Sequence, residues 1–156
     1  MDSLLPTLCA QFPQVTFQAS DSFYWSPRKQ LVHYSEKALE DVMGLWSLLH
    51  EVGHATLGHQ SFSSDFELLE FEVAAWAKAR ILAQTYGLSI SEDHIQDCLD
   101  TYRDWLYQRS TCPTCTSCGL QSDAKTYHCL NCDCTWQVSA SRLCRPYRRT
   151  RSSSSK

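Results

Sequence analysis

Two histidines four residues apart enclose a glutamate in the segment His50-Glu51-Val52-Gly53-His54. On an α-helix, side chains at positions i and i+4 lie on one face, so both imidazoles can bind the same metal ion. Glu51 would lie beside that ion as a general base. Apolar residues flank the segment, which indicates a buried helix in which unpartnered histidines would be costly. The alternative is a pair of hydrogen-bonded core histidines; we favour the pattern typical of zinc metallopeptidases, with a catalytic zinc ion.

Hydrophobic periodicity and turn residues predict the elements that must position this helix. We expect a short helix within residues 1–12, then strands within residues 14–34. The strands include a hairpin, because two apolar runs flank the turn-forming segment 26–29. The motif helix is predicted over 36–58 and two further helices follow, one starting near Ser64 and one over 91–109. Together they predict an α+β domain over residues 1–110.

A catalytic zinc ion needs a third protein ligand and an open position for water. The next helix offers Glu67, Glu70 and Glu72. Glu67 is explained as the partner of Ser64 in a capping box, Ser64-Asp65-Phe66-Glu67. Glu70 shares a helical face with apolar and small residues such as Val73, which suggests that it points inward, whereas the direction of Glu72 is ambiguous.

At this point the chain resembles the ImmA/IrrE-type zinc metallopeptidases. The segment from His50 to His59 looks like their HELGHxxLGH-type motif, and the segment from Glu70 to Ala77 is similar to their downstream ExEAnxFA helix. The resemblance covers about residues 15–85 and implies a small, zincin-like fold of the gluzincin type. Related gluzincins use the first glutamate of such a helix as a ligand, which favours Glu70. Ala74 and Val73 depart from the pattern, so Glu72 remains the alternative.

The hypothesis is metal-assisted peptide hydrolysis by zinc on His50, His54 and Glu70, with Glu51 carrying the proton from water to the leaving amine. We expect the strand over 31–34 to be an edge to which an extended substrate adds. The candidate donors to the oxyanion are not ranked: they are His59, Tyr34 and Arg80.

Six of the nine cysteines fall within residues 112–134, in closely spaced pairs. Cys-x-x-Cys pairs separated by about ten residues predict a zinc ribbon over 111–140, with a structural zinc ion bound by four thiolates. Gly119 follows one pair, where a positive φ is useful. It favours the ligand set Cys115, Cys118, Cys129 and Cys132.

Other ligand sets remain open. Cys112 and Cys115 could pair with the same downstream cysteines, and Cys134 or His128 could replace one ligand. A disulfide framework is less favoured, since the first residues carry no basic, apolar leader and we expect a reducing, cytoplasmic setting. No apolar run approaches the roughly 20 residues of a membrane span, so no membrane is expected as a partner.

Charge is divided unevenly along the chain. Residues 1–111 carry 15 acidic and 7 basic side chains, whereas residues 112–156 carry 2 acidic and 7 basic ones. The segment 141–156 is predicted to be a basic, disordered tail. This asymmetry suggests that the ribbon and tail face a polyanion or a protein bound to one.

Three functions fit these features. The first is an intracellular zinc protease that cleaves a regulatory or DNA-bound protein, as the resemblance to ImmA/IrrE-type enzymes implies. The second is a nucleic-acid-associated protein of which the ribbon and tail are the binding part, similar to SprT/Spartan-type proteases. The third is a non-catalytic zincin-like domain with a ribbon that binds protein or nucleic acid.

Overall fold

The computed structural model describes residues 4–139 and 148–150. The content is mixed helix and strand, which confirms the predicted α+β class. Residues 1–61 and 70–95 form a first unit, and residues 62–69 and 96–156 form a second.

A three-stranded sheet lies in the first unit. Its strands are β1 (Thr16–Ala19), β2 (Tyr24–Ser26) and β3 (Leu31–Tyr34), after a short helix α1 (Leu4–Gln11). The strand order is β1-β3-β2; β2 and β3 form the predicted antiparallel hairpin, and β1 runs parallel to β3. The expectation that β3 is an edge strand is therefore wrong, because β3 is hydrogen-bonded on both sides. The edge that belongs to the hairpin is β2.

The histidine motif lies on helix α2 (Val42–Leu57). Asp41 caps its first turn by accepting a hydrogen bond from the backbone N–H of Met43, so the helix begins later than the predicted residue 36. Residues Lys37–Glu40 form a separate 3₁₀ turn. Gly58 ends the helix at a φ of 67°, a left-handed conformation that favours glycine. The apolar face of α2 packs on β2 and β3, which fixes the motif against the sheet.

Two longer helices follow, α3 (Asp65–Thr85) and α4 (Glu92–Ser110), with the bounds that the sequence pattern predicted to within a few residues. The hydroxyl of Ser64 accepts a hydrogen bond from the backbone N–H of Glu67 at 3.1 Å, as in a capping box. The Glu67 carboxylate instead accepts from Ser63, through its backbone N–H and its hydroxyl. Ser64 is therefore the N-terminal cap of α3, as predicted, but the Glu67 carboxylate has Ser63 as its partner instead of Ser64.

The second unit contains a four-stranded antiparallel sheet. Its strands are β4 (Leu120–Asp123), β5 (Thr126–His128), β6 (Thr135–Val138) and β7 (Arg148–Thr150), in that order. Five buried residues form its core: Cys112, Tyr127, Cys129, Trp136 and Val138. The strand β7 falls within the segment predicted to be a disordered tail; the other residues of 141–156 lie outside the described part of the chain.

Across residues 4–139 and 148–150, no helix combines the length and the apolar character that crossing a membrane requires.

Candidate metal centres

The two motif histidines meet a buried glutamate in the first unit. His50 Nε2 lies 3.1 Å from His54 Nε2 and 3.1 Å from Glu72 Oε2. His54 Nε2 lies 3.6 Å from Glu72 Oε1. All three side chains are buried, with exposed fractions of 6–9%. Three potential ligand atoms therefore converge on one point inside the protein, and this cluster could bind a metal ion.

The spacing of these atoms fits a tetrahedral ion. With metal–nitrogen and metal–oxygen distances of about 2.0–2.1 Å, the edges of a tetrahedron measure about 3.3 Å. The observed separations of 3.1–3.6 Å bracket that value. Two histidines and one carboxylate leave the fourth position for water or substrate, as in catalytic zinc sites.

A glycine allows the two helices that carry these ligands to approach closely. A Cβ on Gly53 would lie 2.6 Å from the backbone oxygen of Ala75, well inside van der Waals contact. Gly53 lies between the two histidines on α2, and Ala75 lies one turn after Glu72 on α3. The glycine of the motif thus brings α3 near enough for Glu72 to reach both imidazoles.

The predicted third ligand, Glu70, does not join this cluster. Glu70 is exposed, whereas Glu72 has an exposed fraction of 6%. The face of α3 that was expected to point inward carries Val73 and Ile81, which are 45% and 57% exposed. The buried face has the helical spacing of three and four and includes Glu72 itself: Leu68, Glu72, Ala75, Trp76 and Ala79. Glu72, the alternative left open by the sequence, therefore replaces Glu70.

Electrostatics around the cluster favour a charged Glu72. Burial by itself opposes the charge, but hydrogen bonds with His50 and His54 hold the pKa of the Glu72 carboxyl well below its usual value. Glu51, the predicted general base, is half-buried next to the cluster. Burial raises the pKa of Glu51, while the two neighbouring histidines and the backbone N–H of Trp25 act in the opposite direction. The structure thus places Glu51 beside the cluster and next to strand β2.

Aromatic rings enclose the histidines. The ring of His50 stacks on Trp76 with centroids 4.2 Å apart, and Trp76 is 5% exposed. His59, which was an unranked candidate from the sequence, places its Nδ1 atom 2.8 Å from the Nδ1 atom of His54. Another candidate oxyanion donor, Arg80, forms an exposed ion pair with Glu92 at 2.8 Å.

A second cluster, in the second unit, consists of four cysteines. Cys112 Sγ lies 3.6 Å from Cys132 Sγ, and Cys115 Sγ lies 3.5 Å from Cys129 Sγ. Zinc–sulfur distances of about 2.3 Å give tetrahedral edges of about 3.8 Å, whereas a disulfide needs about 2.05 Å. These cysteines are free thiols whose spacing suits a shared metal ion. The Asn131 side chain and the backbone of Ser117 lower the pKa of Cys115 to about 5, which favours the thiolate that a metal binds.

The two halves of this cluster have the same backbone pattern, 17 residues apart. Thr116 N–H donates to the Cys112 carbonyl at 3.0 Å, and Asp133 N–H donates to the Cys129 carbonyl at 3.0 Å. The residue that follows the second thiol has a positive φ in both halves, 62° at Thr116 and 57° at Asp133. Each half is therefore a tight turn that presents two thiols to the same point.

Cys118, a predicted ligand, lies outside this cluster. Its backbone forms an extended bridge with Thr111 and its side chain is exposed. Cys112 takes its place, so the alternative pairing of Cys112 and Cys115 with Cys129 and Cys132 is the one that the fold brings together. Gly119 has no positive φ; a Cβ there would lie 2.3 Å from the Trp136 ring. The glycine that favoured Cys118 is needed for packing instead.

All seven converging residues were among the sequence candidates, five as favoured ligands and two, Glu72 and Cys112, as alternatives. The hydrogen bond between His59 and His54 was not among the predicted contacts. The signal for that contact is the five-residue spacing from His54 across the helix end at Gly58.

No protein-family model, no curated protein and no solved structure matches this chain.

Proposed function

We propose that this chain is a zinc metallopeptidase with a separate structural zinc site. The observation that carries the proposal is the convergence of His50, His54 and Glu72 beside Glu51. Two imidazoles, one carboxylate and an open fourth position match a catalytic zinc site, whereas four thiolates match a structural one. The resemblance of the segment from His50 to His59 to the ImmA/IrrE-type motif supports the same assignment.

A zinc ion bound to the three ligands would polarise a peptide carbonyl and acidify a water molecule. Glu51 would accept the proton of that water and transfer it to the leaving amine, because it lies next to the ligands on the same helix. His50 is buried and its ring stacks on Trp76, so little bulk water reaches this ligand. In this scheme Glu72 has only a ligand role, and Glu51 has the only proton-transfer role.

We place the substrate along the edge strand β2 rather than β3. The strand β2 packs against α2, and the backbone N–H of Trp25 on β2 donates a hydrogen bond to the Glu51 carboxylate. An extended peptide can add to an edge strand through main-chain hydrogen bonds, with little demand on its sequence. The proposed substrate is therefore an extended or locally unfolded segment of a protein.

The deciding experiment compares the wild type with a His50→Ala/His54→Ala double variant by native mass spectrometry. We expect two zinc ions in the wild type and one in the double variant, with the cysteine-bound ion retained. Two ions in both proteins would show that the histidine cluster holds no metal, and would refute the proposal.

The catalytic part is tested with Glu51→Gln, which removes the proton acceptor and leaves the ligands. We expect two bound zinc ions and a loss of at least 100-fold in the cleavage of fluorescently labelled unfolded casein. A Glu51→Gln variant as active as the wild type would refute the mechanism. A wild type that holds both ions but does not cleave casein would favour the non-catalytic zincin-like alternative.

A second candidate function is polyanion binding by the second unit. Strand β7 exposes Arg148 and Arg149 at the edge of the sheet, on a segment with a positive charge balance. Such a surface would bring the peptidase to nucleic acid or to proteins bound to it. Affinity for a short DNA duplex should fall steeply with salt concentration if phosphate contacts dominate. A flat salt response would favour a protein partner.

A further inference from the structure

His59 contacts the proposed zinc ligand His54 through a ring nitrogen. The two Nδ1 atoms lie 2.8 Å apart, so one of them is protonated and donates a hydrogen bond to the other. His54 Nε2 faces His50 and Glu72, and this is the atom that would bind the metal. A histidine that binds through Nε2 must carry its proton on Nδ1. The metal-binding state of His54 therefore needs an acceptor at the position where His59 Nδ1 lies.

His59 is held in place from several directions. Its backbone N–H donates to the His54 carbonyl at 3.1 Å, just after the left-handed turn at Gly58. Its own carbonyl accepts a hydrogen bond from the indole N–H of Trp25 at 2.9 Å. Its ring stacks on Phe71, with centroids 4.2 Å apart and an angle of 8° between planes. These contacts fix the position and the plane of the ring, and the 2.8 Å contact shows that its Nδ1 edge faces His54.

The other proposed histidine ligand lacks such a partner. Among the described residues, the Nδ1 atom of His50 is buried and makes no hydrogen bond. Histidines that bind metals usually donate their second ring N–H to a partner that fixes the tautomer and the ring orientation. Of the two proposed histidine ligands, His54 alone has that arrangement among the described residues, so His59 is the residue through which the fold can select a tautomer.

We propose that His59 is a positioning residue for the zinc site, one that accepts a hydrogen bond from His54 Nδ1–H and thereby directs the lone pair of His54 Nε2 toward the metal. The inference rests on the proposed zinc site and assigns a role to a residue outside its ligand set. The opposite tautomer, with His59 as donor, would leave a proton on His54 Nε2 and block metal binding. The two arrangements have the same heavy-atom geometry but opposite consequences for the metal.

Two variants separate the acceptor from the ring. His59→Phe keeps a ring to stack on Phe71 but removes the acceptor, whereas His59→Asn loses the stack and keeps an oxygen near the position of Nδ1. The measurement is the affinity for zinc at the histidine cluster, by competition with a chelator. We expect a 10- to 100-fold loss in His59→Phe and a change of less than about threefold in His59→Asn. The cysteine-bound ion should remain in both variants and serves as the control for folding.

A second readout is independent of activity and of affinity. In ¹⁵N NMR spectra of the zinc-loaded wild type, His54 should be protonated at Nδ1 and His59 at Nε2. Protonation of His59 at Nδ1 would overturn the inference, as would equal zinc affinity in His59→Phe and the wild type. Equal losses in both variants would also overturn it, because they would assign the effect to the ring rather than to the acceptor. A wild-type zinc count that is insensitive to His50→Ala would instead overturn the proposed function, and this inference with it.

Discussion

Replacement of Asp65 by asparagine should strongly destabilise the second unit. Asp65 lies at the start of α3 and forms a two-point ion pair with Arg109 on α4, with Nε–Oδ2 at 2.5 Å and Nη2–Oδ1 at 3.2 Å. The exposed fractions of the two residues are 3% and 2%. The hydroxyl of Tyr127, on β5, donates to the same carboxylate at 2.6 Å. Asp65→Asn keeps the shape of this network and removes its only negative charge.

The expected magnitude follows from burial. Removing one partner of a buried ion pair costs about 3–5 kcal/mol, because the remaining charge stays buried without compensation. The chain offers a matched control in Asp100 and Arg103, whose ion pair has a length of 2.7 Å but side-chain exposures of 61% and 43%. Exposed pairs contribute about 0–1 kcal/mol. Asp65→Asn should therefore reduce the free energy of unfolding by several times more than Asp100→Asn.

The assay is urea unfolding of the metal-loaded full chain. Unfolding of the second unit is monitored through hydrogen exchange at the amides of β5 and β6. With a denaturant slope of about 2 kcal/mol per molar urea, a loss of about 4 kcal/mol moves the midpoint by about 2 M. Asp100→Asn should move it by less than about 0.5 M. Equal shifts in the two variants would refute the reasoning, because they would show that burial does not set the contribution of this ion pair.

Three further predictions concern the metal centres. Glu72→Gln should lower the zinc count measured by native mass spectrometry from two to one, whereas Glu70→Gln should leave two, because only Glu72 faces the histidines. Cys112→Ser should release the other ion, while Cys118→Ser should keep it, since the Cys118 side chain is exposed outside the cluster; equal counts in the two variants would contradict this assignment. Gly53→Ala should destabilise the first unit by about 1–3 kcal/mol in thermal unfolding and weaken zinc binding at the histidine cluster, because its Cβ would lie 2.6 Å from the backbone of α3. An unchanged melting temperature would show that the two helices can separate without cost.

Local signals were sufficient to predict most elements of the chain. Gly58 ends α2 in the left-handed conformation expected of a glycine at a helix end, and Ser64 caps α3 as its sequence pattern predicted. The hairpin of β2 and β3 also follows from its turn. These features depend on residues within a few positions of one another, which is the range over which propensity and capping act.

Strand order was not available from the same signals. The parallel pairing of β1 with β3 places β3 in the middle of the sheet, although β2 lies between them in the chain. Alternating hydrophobicity reports which face of a strand is buried but not which neighbour it has. The edge strand of the correctly predicted hairpin is therefore β2 and not the predicted β3.

The choice between Glu70 and Glu72 shows a different limit. Glu70 and Glu72 are two positions apart on a helix, so their side chains point in directions that differ by about 200°. Only one of the two can therefore face the histidines. Apolar content suggested that the helix face of Glu70 points inward, and that face carries Val73 and Ile81. Both of these residues are largely exposed. More than half of a folded protein's accessible surface is apolar, so apolar neighbours are weak evidence for an inward direction.

The choice among the first three cysteines of the cluster region depends on backbone conformation, which their spacing does not reveal. Cys112, Cys115 and Cys118 are equally spaced, so spacing cannot select two of the three. A positive φ after the second thiol does distinguish them, but it occurs at Thr116, a β-branched residue that seldom adopts it. Four thiolates on one metal ion can hold a turn that the residue itself disfavours, since metal binding contributes directly to folding. A metal ion bound at this cluster, as proposed above, would hold the turn at Thr116 against the preference of its own side chain. Gly119, four residues after Cys115, was therefore a misleading guide to the ligand pair.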